Sequence, residues 1–178
     1  MNDLQFEESQ QFRNRSFWIF LGTLLLFLIT LFGYGFIKQI ILGQPFGTKP
    51  ASDSGIILTT AFVYLLCAGL FLLFFFAKLT TIINKDGVFI KYVPFRNRKK
   101  HIPLNEIESL HVRKYDPIRE YGGFGLRFGF KGGMAYNVSG FWGLQIIMKD
   151  GEKILIGTQK PEELNNFLKN INPVSSNN

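Results

Sequence analysis

Residues 74–93 read FFFAKLTTIINKDGVFIKYV, and the chain changes its periodicity inside them. Up to Ala77 the apolar side chains follow one another without interruption. From Leu79 they fall on alternate positions, in two short runs that flank Asp86-Gly87, a dipeptide suited to a tight hairpin turn. A long apolar segment thus passes into a β-hairpin with almost no intervening chain. The junction divides the sequence into a helical part before it and a strand-rich part after it.

Upstream, Phe17–Ile37 and Ile56–Ala77 contain no charged residue. Each is about as long as the roughly 20 residues that a helix needs to cross a bilayer. Neither carries the polar stripe of a soluble core helix. The sequence therefore predicts two transmembrane helices, over residues 17–42 and 56–78, joined by an extracytoplasmic loop over 43–55. The first run exceeds the ~7–15 apolar residues of a cleaved signal and lacks a small-residue cleavage site, so it is expected to be retained. The one cysteine, Cys67, lies in the second run and supports neither a disulfide framework nor a cysteine zinc site.

Orientation follows from Lys and Arg near the ends of the spans. Arg13 and Arg15 precede the first span, and Lys38 and Lys49 lie between the two. Lys78, Lys85, Lys91, Arg96, Arg98, Lys99 and Lys100 follow the second in quick succession. The expectation is a cell-membrane protein with both termini cytoplasmic, residues 1–16 forming a cytoplasmic N-terminal segment. From Leu79 onward 15 Lys and Arg stand against 9 Asp and Glu, a balance that favours an anionic leaflet.

Downstream, period-two stretches recur with turn signals between them. In IESLHVRK, Leu110 and Val112 share one face. In GLRFGF, Leu126, Phe128 and Phe130 are expected to point inward, with Arg127, Gly129 and Lys131 outward. In WGLQIIMK, Trp142, Leu144, Ile146 and Met148 align, and Asp150-Gly151 turns the chain into KILIGT. Seven or eight short antiparallel strands result, enough for a small barrel. Pro161, Glu162 and Glu163 then open a helix whose stripe is Leu164, Phe167, Leu168 and Ile171. The cytoplasmic domain is read as residues 79–172, with a disordered tail over 173–178.

Antiparallel strands closed by one C-terminal amphipathic helix resemble the pleckstrin-homology (PH) superfold. The stretches INKDGVFIKYVPF, IPLNEIESLHVRKYDPIREYGGFGLR and AYNVSGFWGLQIIMKDGEKILIGTQKPEEL, with the helix after them, resemble the bacterial PH-like domain membrane proteins, within an uncharacterised subfamily. The resemblance implies two transmembrane helices followed by a PH-like antiparallel β-barrel closed by one C-terminal α-helix. It implies binding rather than chemistry.

The glycine-dense stretch Arg119–Gly140 tests that implication. Gly123 and Gly125 fit the start of a dinucleotide loop, but Phe128 stands at the third glycine position and more strand follows. Glycines that open, turn and end a hairpin are the better reading. His101 and His111 lack zinc-site partners, and no nucleophile elbow appears. Asn137-Val138-Ser139 matches a glycosylation sequon only formally. No enzyme, cofactor, metal site or small-molecule substrate is expected, and no nucleic-acid reader motif accounts for the basic charge.

Because no linker follows the second span, the domain is expected close to the bilayer. Strand parity returns the turn PFRNRKK to that side, with YDPIREYGGF, SGFW and the start of TQKPEEL beside it. Candidate headgroup contacts are Phe95, Arg96, Arg98, Lys99, Lys100, Arg119, Tyr121 and Trp142, with Phe124 and Phe141 in the same group. The expected partner is anionic membrane lipid. The alternative is a scaffold that binds a protein partner or a second copy through a strand edge or the spans.

Overall fold

A computed structural model describes residues 5–130 and 132–171, the side chain of Ile171 excepted. The expected tail, the outward position of Lys131 and the Ile171 contact lie outside these residues. The chain forms two units, one of residues 13–75 and one that joins the N-terminal segment to everything from Phe76 on.

The helical unit holds α1 (Arg15–Phe36), which continues as a π-helical turn over Ile37–Ile41, and α2 (Asp53–Phe76). Asn14 caps α1, its Oδ1 accepting from the Ser16 amide at 2.9 Å. Leu21, Leu25 and Cys67 form the buried seam of the pair. Most other apolar side chains, Phe20, Leu26, Leu58 and Leu65 among them, are exposed. A helix hydrophobic all round needs an apolar surrounding, and both helices are long and apolar enough to cross a membrane. Between them, Gln39 Nε2 donates to the Ala51 carbonyl at 2.7 Å and to Asp53 Oδ1 at 3.0 Å, pinning the loop.

In the other unit, β1 (Phe6–Gln11), β2 (Lys78–Asn84), β3 (Gly87–Val93) and β4 (Arg96–Pro103) form a four-stranded sheet in that order. The Asp86-Gly87 turn is where its sequence places it, with Asn84 paired to Gly87. The first strand is new: it comes from the segment before α1 and pairs antiparallel with β2 from Phe6↔Ile83 to Gln11↔Lys78. The helical hairpin is therefore an insertion between two hydrogen-bonded strands. Leu79, Ile83, Val88, Ile90, Tyr92 and Ile102 make the inner face, all but closed to solvent.

The second sheet contains β5 (Ile107–Lys114), β6 (Gly125–Phe128), β7 (Met134–Asn137), β8 (Trp142–Met148) and β9 (Lys153–Gly157), in the order β5-β8-β9-β7-β6. A short helix, α3 (Pro117–Tyr121), sits between β5 and β6, and α4 (Pro161–Ile171) closes the chain. Leu164 of α4 is buried, and Phe167 meets the Phe6 ring at 5.8 Å.

Three expectations are corrected here. Among the described residues the sheets do not close into a barrel, since β4 pairs there only with β3 and β5 only with β8. The strands are not all antiparallel, because the β6–β7 hairpin returns alongside β9 and makes β7 parallel to it. Phe128 and Phe130 do not point into the core: they are 77% and 74% exposed. Phe128 ends the four-residue edge strand β6 and Phe130 lies beyond it, so the alternation of their sequence has no second layer to bury it.

The sheets are joined by polar contacts as well as by apolar packing. Glu8 accepts from Thr158 Oγ1 at 2.6 Å and from the Gln159 amide at 2.7 Å. Gln10 Nε2 donates to the Gly157 carbonyl at 2.6 Å, and Tyr92 donates to the Asn137 carbonyl at 2.9 Å. Buried polar groups with such partners fix register where apolar contact alone is non-directional.

Candidate functional site

Register defines one end of the four-stranded sheet. Gln11 pairs with Lys78 and Lys78 with Val93. The chain enters α1 just beyond Gln11 and leaves α2 just before Lys78. The Pro94-Phe95 turn follows Val93 at this same end, and Arg96 pairs back to Tyr92. The basic residues are therefore not a turn, as their sequence implied, but the first half of β4. Four cations in five positions gave no alternation from which to recognise a strand.

Contacts carry this end across to the second sheet. Phe95, 43% exposed, packs against Tyr92 with ring centroids 5.1 Å apart. Tyr92 bonds to Asn137, and Asn137 Oδ1 accepts from the Gly125 amide at 2.7 Å, which brings Phe124 alongside. The loop after Asn137 runs through Phe141 and Trp142. Both are exposed, and Lys114 Nζ stands 5.2 Å over the Trp142 ring. Arg127 Nε donates to the Phe124 carbonyl at 3.0 Å. The result is a rim of Phe95, Phe124, Phe141 and Trp142 interleaved with Lys78, Arg96, Lys114 and Arg127, at the strand ends that run into the helices.

The predicted residues do not all belong to it. Arg98 and Lys99 are exposed in an irregular stretch of β4. Lys100 lies further along, half-buried, 3.6 Å from Glu152. Tyr121 is buried with Tyr115, Ala135 and Leu155 and offers nothing to a headgroup. Arg119 is exposed on α3, 3.7 Å from Asp116, and lines a separate cleft. Arg96 lies beside the Tyr136 hydroxyl, where its charge partly offsets the burial that pushes that phenol upward.

Asn137, a formal sequon in the sequence, is the pivot of the rim. It is fully buried. The Tyr115 hydroxyl sits beside its amide and, through burial, is pushed up to about 12. Nothing in the local sequence marks that role, because its partners come from β3, the end of β5 and the start of β6.

The cleft of about 490 Å³ lies on the other face of the second sheet. Gln145 and Ile147 of β8 floor it, with His111 and Arg113 of β5 and Lys153 of β9 around them. Glu120, Tyr121 and Phe130 complete it from α3 and the glycine hairpin. Arg113 Nη2 donates to Glu120 Oε2 at 2.8 Å and Arg113 Nε to Gln145 Oε1 at 3.0 Å. The Arg113 bond, foremost, holds the Glu120 carboxyl below its usual range. No group of three His, Cys, Asp or Glu among the described residues is placed to hold a metal ion.

A family model described as "Family of unknown function (DUF6141)" matches residues 2–174. No curated protein matches, and no solved structure does. The chain belongs to the DUF6141 family.

Proposed function

We propose that this member of the family is a membrane-anchored, non-enzymatic PH-like module that contacts anionic lipid headgroups through its aromatic and basic rim. The observation that carries the reading is the position of that rim. It occupies the strand ends from which the chain enters α1 and to which it returns from α2, with Ala77 alone between α2 and β2. Aromatic rings and cations together suit the membrane–water interface, and each Lys or Arg near an anionic surface contributes about 1 kcal/mol. The Lys and Arg distribution around the spans supports a cytoplasmic location for this unit and for both termini. Two sheets followed by a C-terminal helix support the PH-like assignment.

The scaffold alternative draws on the unpaired strand edges. Arg96, Arg98, Lys99 and Lys100 line the β4 edge, and charged edges resist strand addition. That favours lipid over a peptide there.

The two tryptophans are Trp18 and Trp142. In a Trp18→Phe variant of the full chain, Trp142 alone reports. In nanodiscs containing phosphatidylglycerol, lipids brominated near the glycerol backbone are expected to quench Trp142. Adding Arg96→Glu and Arg98→Glu is expected to cut the quenching by about half or more, one of the rim's charges and a neighbouring charge on β4 having been reversed. Trp142 emission indifferent to brominated lipid would end the proposal.

A further inference from the structure

We infer that the cleft on the outer face of the second sheet is a binding site for a small organic anion, a phosphate or carboxylate carried on an apolar body. The cleft and the rim share no residue.

Charge comes first. Glu120 is the one carboxylate among the lining residues, and it is already engaged. Its Oε2 accepts from Arg113 at 2.8 Å, and its Oε1 accepts from the Asp116 amide at 2.8 Å. Arg113 is engaged in return by Glu120, Gln145 and the Lys114 carbonyl. The pair cancels its own charge and acts as a fixed wall. Asp116 is also committed, since its Oδ1 caps the Ile118 and Arg119 amides. What remains for a ligand is a set of donors: Lys153 and His111, neither side chain paired among the described residues, and Arg119, whose contact with Asp116 is long at 3.7 Å. A charged donor gains most from an anionic acceptor.

Shape comes second. The glycine hairpin is pressed against Tyr121 so closely that a Cβ on Gly129 would lie 2.9 Å from its ring. Phe130, 74% exposed, and Ile147 give the cleft apolar lining. A volume of about 490 Å³ falls within the range usual for small-molecule sites, about 300–1,000 Å³. Lys153, Arg119 and His111 meet the anionic group, and Phe130 and Ile147 meet the body that carries it.

Such an anion has two sources, a soluble ester or acid and a lipid headgroup. The test uses the full chain in phosphatidylcholine nanodiscs, titrated with phenyl phosphate and with inorganic phosphate by calorimetry. Phenyl phosphate is expected to bind saturably, and inorganic phosphate about tenfold more weakly, having no ring to bury. Lys153→Glu and His111→Ala, both at exposed positions, are each expected to weaken phenyl phosphate about tenfold. The Arg96→Glu/Arg98→Glu variant is expected to bind it unchanged, which separates this site from the rim. Unchanged affinity in phosphatidylglycerol nanodiscs identifies a soluble ligand. Weaker apparent affinity there, abolished as an effect by Lys153→Glu, identifies a headgroup in the cleft. Absence of saturable binding, or equal binding by wild type and Lys153→Glu, overturns the inference.

Discussion

β1 and β2 run side by side in one ladder, and the helical hairpin is inserted between them, yet different forces hold them. The buried face of β2 carries Leu79, Thr81 and Ile83, and the Thr81 hydroxyl has no hydrogen-bond partner among the described residues. The buried face of β1 reads Phe6, Glu8, Gln10, with Phe12 just beyond, and its two middle positions are fixed by hydrogen bonds to Gly157, Thr158 and Gln159. One strand is held by area and the other by direction. A strand that precedes a long helical insertion has to find its partner across the intervening chain. Polar contacts that tolerate one register only are suited to that task.

The largest expected effect comes from removing β1. Phe6 and Phe12 each contribute about 1.5–3 kcal/mol through burial, and the Glu8 and Gln10 bonds add to this. Domain stability is about 5–15 kcal/mol in total. A fragment of residues 79–178 is therefore expected to lose cooperative urea unfolding. Restoring residues 5–11, joined to Lys78 through an Asn-Gly turn, is expected to recover it, because Gln11 and Lys78 are directly paired. Cooperative unfolding of the shorter fragment would mean that β1 is an accessory strand and that the contrast with β2 is empty.

Single substitutions sharpen the contrast. Leu79→Ala opens a cavity in a closed apolar face and is expected to cost about 3 kcal/mol. Glu8→Ala removes the acceptor of the Thr158 hydroxyl proton and of the Gln159 amide, at about 2 kcal/mol. Glu8→Gln keeps one acceptor oxygen and is expected to cost about 1 kcal/mol. Urea titration of the full chain in detergent, read through Trp142, measures all three. If Glu8→Gln proved as costly as Glu8→Ala, the charge rather than the acceptor geometry would be what holds the strand.

The same contrast explains what could be read from sequence. The β2–β3 hairpin was legible because its inner face is apolar at period two around Asp-Gly. β1 was not, since FEESQQF buries Glu8 and Gln10 where a pattern reader expects apolar side chains. KKHIPL reads as a strand and overlaps β4, but the start of β4 at Arg96 was hidden by its cations. Phe128 and Phe130 alternated correctly but on an edge that nothing covers, because alternation reports which residues share a face and not whether a second layer meets it. That Phe95, Phe124, Phe141 and Trp142 share an end was an expectation from strand parity, whereas no signal pointed to the pivot Asn137. The cleft was illegible: Gln145 and Ile147, His111 and Arg113, Lys153, and Phe130 come from four separate segments that only the sheet order brings together.

The smallest effect separates the two halves of the polar seam. Asn137, with Tyr92 and Tyr115, joins the sheets beside Gly157, whose carbonyl receives Gln10, and high pH reaches this half through a phenol. Burial pushes the Tyr115 hydroxyl up to about 12 from its ordinary 10. The folded chain therefore holds this proton over a range in which the unfolded chain releases it. Its contribution is complete below pH ~10 and is lost as pH rises toward ~12. Tyr115→Phe is expected to flatten that part of the stability–pH curve, in urea titrations between pH 9 and 11, while leaving the cost of Glu8→Gln unchanged. The loss of slope identifies the phenol. Independence from Glu8 identifies two separable joints, one set by the strand before the helices and one by the strands after them. If Tyr115→Phe altered the Glu8→Gln cost, the seam would be a single cooperative network, and β1 would owe part of its hold to Asn137.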